Sequence, residues 1–122
     1  MDNNEQKFIN MNILIKNMSQ LIKYLGTYPL IKVIDFFIEN ILGQYTKTDI
    51  SNATGVSRTT LQKICEKLQK KGFLKIEKKG DLFLYSINRG SIFSEKIIDL
   101  DYCLNINKME NESRKKIKLK IR

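Results

Sequence analysis

One stretch, Thr46 to Ile87, constrains the fold more than any other part of the chain. It reads T-K-T-D-I-S-N-A-T-G-V-S-R-T-T-L-Q-K-I-C-E-K-L-Q-K-K-G and continues F-L-K-I-E-K-K-G-D-L-F-L-Y-S-I. Thr46 has the chemistry of a helix N-cap, with Asp49 in an acidic first turn. A short helix is expected over about Lys47–Thr54, burying Ile50 and Ala53. Gly55 then supplies the positive φ that a sharp turn needs, and Val56 plugs the inside of that turn. Ser57 is positioned to cap a second helix through the NH of Thr59 or Thr60. The spacing of Leu61, Ile64, Cys65 and Leu68 gives that helix one apolar face, and Gly72 stops it. Strands are expected at Phe73–Glu77 and Leu82–Ile87, joined by a four-residue loop of Lys78, Lys79, Gly80 and Asp81.

Helices are also expected on both sides of this unit. From Met11 the apolar residues Leu14, Ile15, Met18, Leu21, Ile22 and Leu25 follow at offsets 3, 4, 7, 10, 11 and 14. That stripe describes an amphipathic helix over Phe8–Leu25, ended by Gly26. Pro29 suits the first turn of the next helix. Its apolar residues Val33, Ile34, Phe37, Ile38 and Ile41 carry it to about Leu42–Gly43, at the centre of the core. Gln44 and Tyr45 read as extended. A last helix is expected from about Ser91 to Asn107, with Ile92, Phe93, Ile97, Leu100 and Leu104 facing inward and Ile98 and Cys103 widening that face. The remaining K-I-K-L-K-I-R end alternates and reads as a mobile basic arm. The expected fold is mainly α with a small β-hairpin (α+β). Its organisation is an N-terminal amphipathic helix over residues 1–26, a central unit over 27–90, a C-terminal helix over 91–107 and a flexible tail over 108–122. The two terminal helices exceed what a modest core needs, so one or both are expected to form a two-fold dimer.

Charge is concentrated rather than spread. The net charge is +9 over 122 residues. Residues 44–90 carry ten basic and four acidic side chains, and residues 108–122 seven and two, whereas residues 1–43 balance at four each. Uneven basic charge is the footprint of a polyanionic partner. The chain has no histidine, which removes the commonest general base and transition-metal ligand. No Gly-rich phosphate loop or paired-carboxylate spacing stands out, so an enzyme is not expected, nor a metal or cofactor. Cys65 and Cys103 lack metal-ligand spacing. Cys65 reads as a small core residue, Cys103 as a core or subunit-contact residue, and a redox role for either is left open. No apolar run has the length of a membrane span and the start is polar, so a cytoplasmic protein is expected.

The order of helix, helix-turn-helix, two-stranded hairpin and helix resembles the winged helix-turn-helix regulators of archaea and bacteria, broadly of the MarR and ArsR kind. The match is carried by Y-T-K-T-D-I-S-N-A-T-G-V-S-R-T-T-L-Q-K-I, the closing L-Q-K-K-G-F-L and the K-K-G-D wing, within about residues 28–107. The resemblance implies a second helix that enters the DNA major groove and a wing that touches an adjacent minor groove or phosphates. It also implies that a small-molecule effector can bind between helices near a dimer contact. The residues themselves agree. Arg58 has the donors to read guanine and Gln62 the amide to read adenine. Thr59 and Thr60 suit phosphate or a thymine methyl, and Ser57 at the helix start suits a phosphate. Lys63 and Lys67 lie on the same outward face. Lys47 opens the preceding helix as a backbone clamp, and Lys78 and Lys79 charge the wing. The expected function is a sequence-specific regulator of transcription that binds double-stranded DNA as a homodimer. The alternative is a winged-helix protein-interaction module in a transcription or replication complex.

Overall fold

A computed structural model describes residues 19–121. Seven elements follow in order: α1 Gln20–Leu25, α2 Pro29–Glu39, α3 Lys47–Thr54, α4 Arg58–Lys70, β1 Leu74–Lys79, β2 Leu82–Ile87 and α5 Ile92–Ile121. The helical stripe expected from Phe8 does not run unbroken to Leu25. Ser19 is extended, at φ −60° and ψ 156°, and its Oγ accepts from the NH of Ile22 at 3.2 Å. A serine at this position competes for backbone donors better as a cap than as a helix-interior residue. The expected helical residues before it lie outside the described residues.

Pro29 stands at the start of α2, where its missing NH costs nothing. This helix stops at Glu39 rather than near Leu42–Gly43. Both the backbone NH and the side-chain amide of Asn40 donate to the carbonyl of Phe36, which closes the last turn early. At the start of α3, Thr46 Oγ1 accepts from the NH of Asp49 at 3.2 Å, and Asp49 Oδ2 accepts from the NH of Thr46 at 3.0 Å. Two orphan donors are thus satisfied by one reciprocal pair. Gly55 ends α3 at φ 75°, a left-handed conformation that costs a residue with a Cβ roughly 1–2 kcal/mol. Ser57 caps α4 through the NH of Thr60 at 3.3 Å.

The hairpin pairs Leu74 with Ile87 and, at its tip, Lys79 with Leu82. Its loop is therefore two residues, Gly80 and Asp81, in place of the expected four. Lys78 and Lys79 belong to β1. Gly80, at φ 60°, makes the shorter turn possible. Tyr45 adds a two-bond bridge to Tyr85, at 2.9 and 2.8 Å, so the extended Gln44–Tyr45 segment lies along the open edge of β2.

The core sits where α2, α3, α4 and the base of the hairpin meet. Val33, Phe37, Ile50, Leu61 and Phe73 are wholly enclosed. Phe37 is central: its ring packs edge-on against Phe36, Tyr45 and Phe73, and Phe73 meets Phe93 of α5. Ser94, also fully buried, donates to the carbonyls of Gly72 and Phe73 at 3.3 and 3.2 Å, tying the start of α5 to the corner between α4 and β1. Four expected inward positions are not inside. Ala53 is exposed, and on α5 Ile92, Leu100 and Cys103 are exposed while Phe93, Ile97, Ile98 and Leu104 pack on the core. The helix also does not end near Asn107: α5 is helical to Ile121. No Gly or Pro interrupts residues 92–121, and the Lys and Arg residues that make the end basic, like the Glu residues among them, are good helix formers. The K-I-K-L-K-I alternation is overridden by that continuity.

Asp35 is the costly feature of this core. It is 9% exposed, and its Oδ1 has no hydrogen-bond partner among the described residues. Burial raises its pKa, against the lowering effect of the Ser19 hydroxyl. Asp101 of α5 is raised by burial and then by the charge of Asp35, and Glu39 by burial and then by Asp35 and Asp101. Carboxyls raised in the folded state contribute stability that is full below their unfolded values and lost as pH rises through the folded ones. Asp35→Asn, which removes the charge, is therefore expected to raise unfolding free energy at pH 7 by about 1 kcal/mol. Urea unfolding at pH 7 and pH 4.5 checks this: the advantage over the unsubstituted chain should shrink at the lower pH, and an equal or larger advantage there would contradict it.

Candidate nucleic-acid interface

Core packing orients α4. With Leu61, Ile64, Cys65 and Leu68 buried, the helical repeat sends two rows of side chains outward. Arg58, Gln62, Glu66 and Gln69 form the row nearer the hairpin. Thr59, Lys63 and Lys67 form the adjacent row, and all three are exposed. Gln62, Glu66 and Gln69 face Ile76, Lys78, Phe83 and Tyr85 of the hairpin, and Lys47 of α3, across an open cleft of about 560 Å³. The helix face and one side of the wing therefore border the same cleft.

The structure brings together most of the residues singled out in the sequence, with changes in detail. Ser57 and Thr60 are exposed at the start of α4. Besides the cap, the Ser57 hydroxyl lies 3.0 Å from that of Thr60. Arg58 is exposed and donates through Nη2 to Thr48 Oγ1. Lys47 does not reach outward. It is half-buried, donates to Gln62 Oε1 and lies 5.9 Å from the centre of the Tyr85 ring. Gln62 is half-buried too, and its Nε2 donates to Glu66 Oε1 at 2.8 Å.

Lys78 and Lys79 do not act as a pair at the wing tip. As successive strand residues they point to opposite faces. Lys78 lines the cleft with its Nζ 5.6 Å from the centre of the Phe83 ring, whereas Lys79 turns away, 3.4 Å from Gln44 Oε1. Gln44 in turn donates to Glu77 at 2.6 Å. Sequence reasoning missed Thr48, Gln69, Phe83 and Tyr85. Gln69 was within reach by continuing the Arg58–Gln62–Glu66 row for one more turn. Phe83 needed the true register, which sets it opposite Lys78.

Cys65 forms part of the cleft wall but is 1% exposed. Burial pushes its thiol up to about 11, against the opposing charge of Lys47. The protonated thiol is a poor nucleophile, in keeping with a packing role. Cys103 is free and exposed on α5. Among the described residues no group of three or more Cys, Asp or Glu is arranged to hold a metal ion. None of the described helices is long and apolar enough to cross a membrane.

These elements define a winged helix-turn-helix: α3 and α4 joined at Gly55, with β1 and β2 as the wing. Comparison with solved structures shows the same fold. MepR, described as a transcription regulator of a Staphylococcus aureus multidrug efflux pump, superposes with a TM-score of 0.56 at 10% identity, over 99% of this chain and 94% of that one. The adhesin competence repressor AdcR of Streptococcus pyogenes gives 0.54 at 16% identity, over 93% and 81%. NadR, solved with 4-hydroxyphenylacetate, gives 0.54 at 21% identity, over 97% and 88%. No family model matches the chain, and no curated protein matches it in sequence.

Proposed function

We propose that this chain is a sequence-specific transcription regulator that binds double-stranded DNA as a homodimer. In this reading α4 lies in the major groove and the hairpin meets the adjacent backbone or minor groove. One observation carries it: the outward row of α4 and the Lys78 side of the wing border a single open cleft, with Arg58, Thr59 and Lys63 exposed beside it. A helix end with exposed hydroxyls and an arginine suits base edges and phosphate together. Lysines in the next row suit the phosphates that flank a groove. The likeness in fold to MepR and AdcR, described as a regulator and a repressor, supports the same reading and favours a binding protein over an enzyme. A cytoplasmic site of action goes with it.

The dimer is supported by apolar surface at the two ends of the described chain. Tyr24, Leu25 and Tyr28 near α1, and Leu100 and Met109 on α5, are exposed. Burying them against a second copy would also set two α4 helices for the half-sites of a palindrome.

Gel retardation with random duplex, followed by selection of the retained sequences, tests the reading. A shift at micromolar protein in low salt is expected, with affinity falling at least about tenfold as salt rises from ~50 to ~200 mM. Retention must also converge on a defined sequence. No retardation, or a response indifferent to salt, would instead favour a protein-contact module.

A further inference from the structure

Gln62 is held on both sides by side chains that leave it one choice of orientation. A primary amide offers two N–H donors and a carbonyl oxygen with two lone pairs. Lys47 has donors alone, so the atom it meets must be the Gln62 oxygen. A carboxylate accepts alone, so the atom that Glu66 meets must be the Gln62 nitrogen, at 2.8 Å. Exchanging the two amide atoms would set nitrogen against ammonium and oxygen against carboxylate, losing both bonds. One N–H and one oxygen lone pair are left uncommitted. A donor beside an acceptor is the complement of adenine in the major groove, which presents N7 as acceptor and the N6 amino group as donor. Guanine presents two acceptors there and does not match.

Lys47 is itself steadied by the Tyr85 ring at the root of the wing. The same first turn of α3 holds the other reader, since Thr48 Oγ1 accepts from Arg58. A guanidinium has five donors, so this bond leaves enough for a two-donor contact.

We infer that Lys47 and Glu66 are positioning residues that preset the Gln62 amide to read an adenine, and that Glu66 makes no base contact of its own. This rests on the DNA-binding reading given above. It accounts for an acidic side chain in the middle of a face that meets a polyanion.

The experiment is selection from a random duplex pool with the full chain, run in parallel for the unsubstituted protein, Glu66→Ala and Glu66→Gln. Circular dichroism on each serves as the folding check, and Glu66 is exposed. The unsubstituted chain should select an adenine at one position of each half-site. Glu66→Ala should lower the preference for that adenine about tenfold, leave the other selected positions as they were and raise affinity for random duplex, since a negative charge is gone. Glu66→Gln, which retains an acceptor, should restore part of the preference. A fall at every position and in random-duplex affinity together, with the circular dichroism spectrum unchanged, would overturn the assignment, because Glu66 would then support the whole face rather than the Gln62 amide. A preference lost at a cytosine rather than an adenine would also overturn it, because Glu66 would then be a reader accepting from the cytosine N4 amino group. An unchanged adenine preference in Glu66→Ala would overturn it while leaving the DNA-binding reading intact. Failure of the unsubstituted chain to enrich any sequence would remove both.

Discussion

Phe37→Ala is expected to cost about 3–5 kcal/mol of folding stability. The side chain is wholly enclosed and meets Phe36, Tyr45 and Phe73 edge-on. Truncation removes the transfer energy of a ring and leaves a cavity that three aromatic neighbours cannot easily fill. Native domains have only about 5–15 kcal/mol in total, so the variant should sit close to unfolding. The consequence reaches the interface, because Phe37 links the helix beneath the motif to Phe73, where the chain enters the wing. Urea unfolding at fixed protein concentration should show a lower midpoint with an unchanged slope. A loss below about 1 kcal/mol would mean that the site collapses or was never enclosed, contrary to the packing described.

Arg58→Ala should leave stability nearly untouched and weaken binding to the preferred sequence by about 1–3 kcal/mol. The residue is exposed at the first position of α4, the cap is made by Ser57, and alanine is at least as good a helix former as arginine. What is lost is a planar group with donors to spare beyond the one given to Thr48. Titration of the preferred duplex and of single-base variants separates two roles. A reader of bases should lose discrimination at one position. A uniform loss across all duplexes, with the salt slope reduced by about 1, would make Arg58 a phosphate contact. No change on any duplex would remove it from the interface.

The central unit was legible because local chemistry and tertiary packing agree there. Thr46 and Ser57 are caps by residue type, Gly55 is the residue that tolerates the turn, and the spacing of Leu61, Ile64, Cys65 and Leu68 sets which side of α4 is buried. Once that side is known, the outward rows follow from the helical repeat. The errors fall where two local signals compete. At Ser19 a stripe of apolar residues outvoted a good cap. At the wing, Gly80 and Asp81 suffice for the turn, so both lysines joined the strand and separated onto opposite faces. Along α5, alternation suggested an arm where uninterrupted helix formers prevail. Lys47 illustrates a different limit. Its position on α3 was expected, but whether its long side chain goes to solvent or to Gln62 depends on Tyr85 and Gln62 lying nearby in space, which no local pattern encodes.

The same limit applies to the polar face as a whole. Residue types named Arg58 and Gln62 as readers, yet the bonds to Thr48, Lys47 and Glu66 connect residues 4 to 15 positions apart in the chain. The bonds to Thr48 and Lys47 come from the angle between α3 and α4, and hence from the core beneath them, whereas Gln62 and Glu66 meet one turn apart on α4.

Methylation interference on the selected duplex tests most directly whether α4 reads the major groove. Guanine N7 lies in that groove and adenine N3 in the minor groove. Methylating a guanine N7 within each half-site should block binding, at the position where Arg58→Ala loses discrimination. Binding unaffected by N7 methylation throughout the site, or blocked by adenine N3 methylation alone, would contradict a recognition helix seated in the major groove.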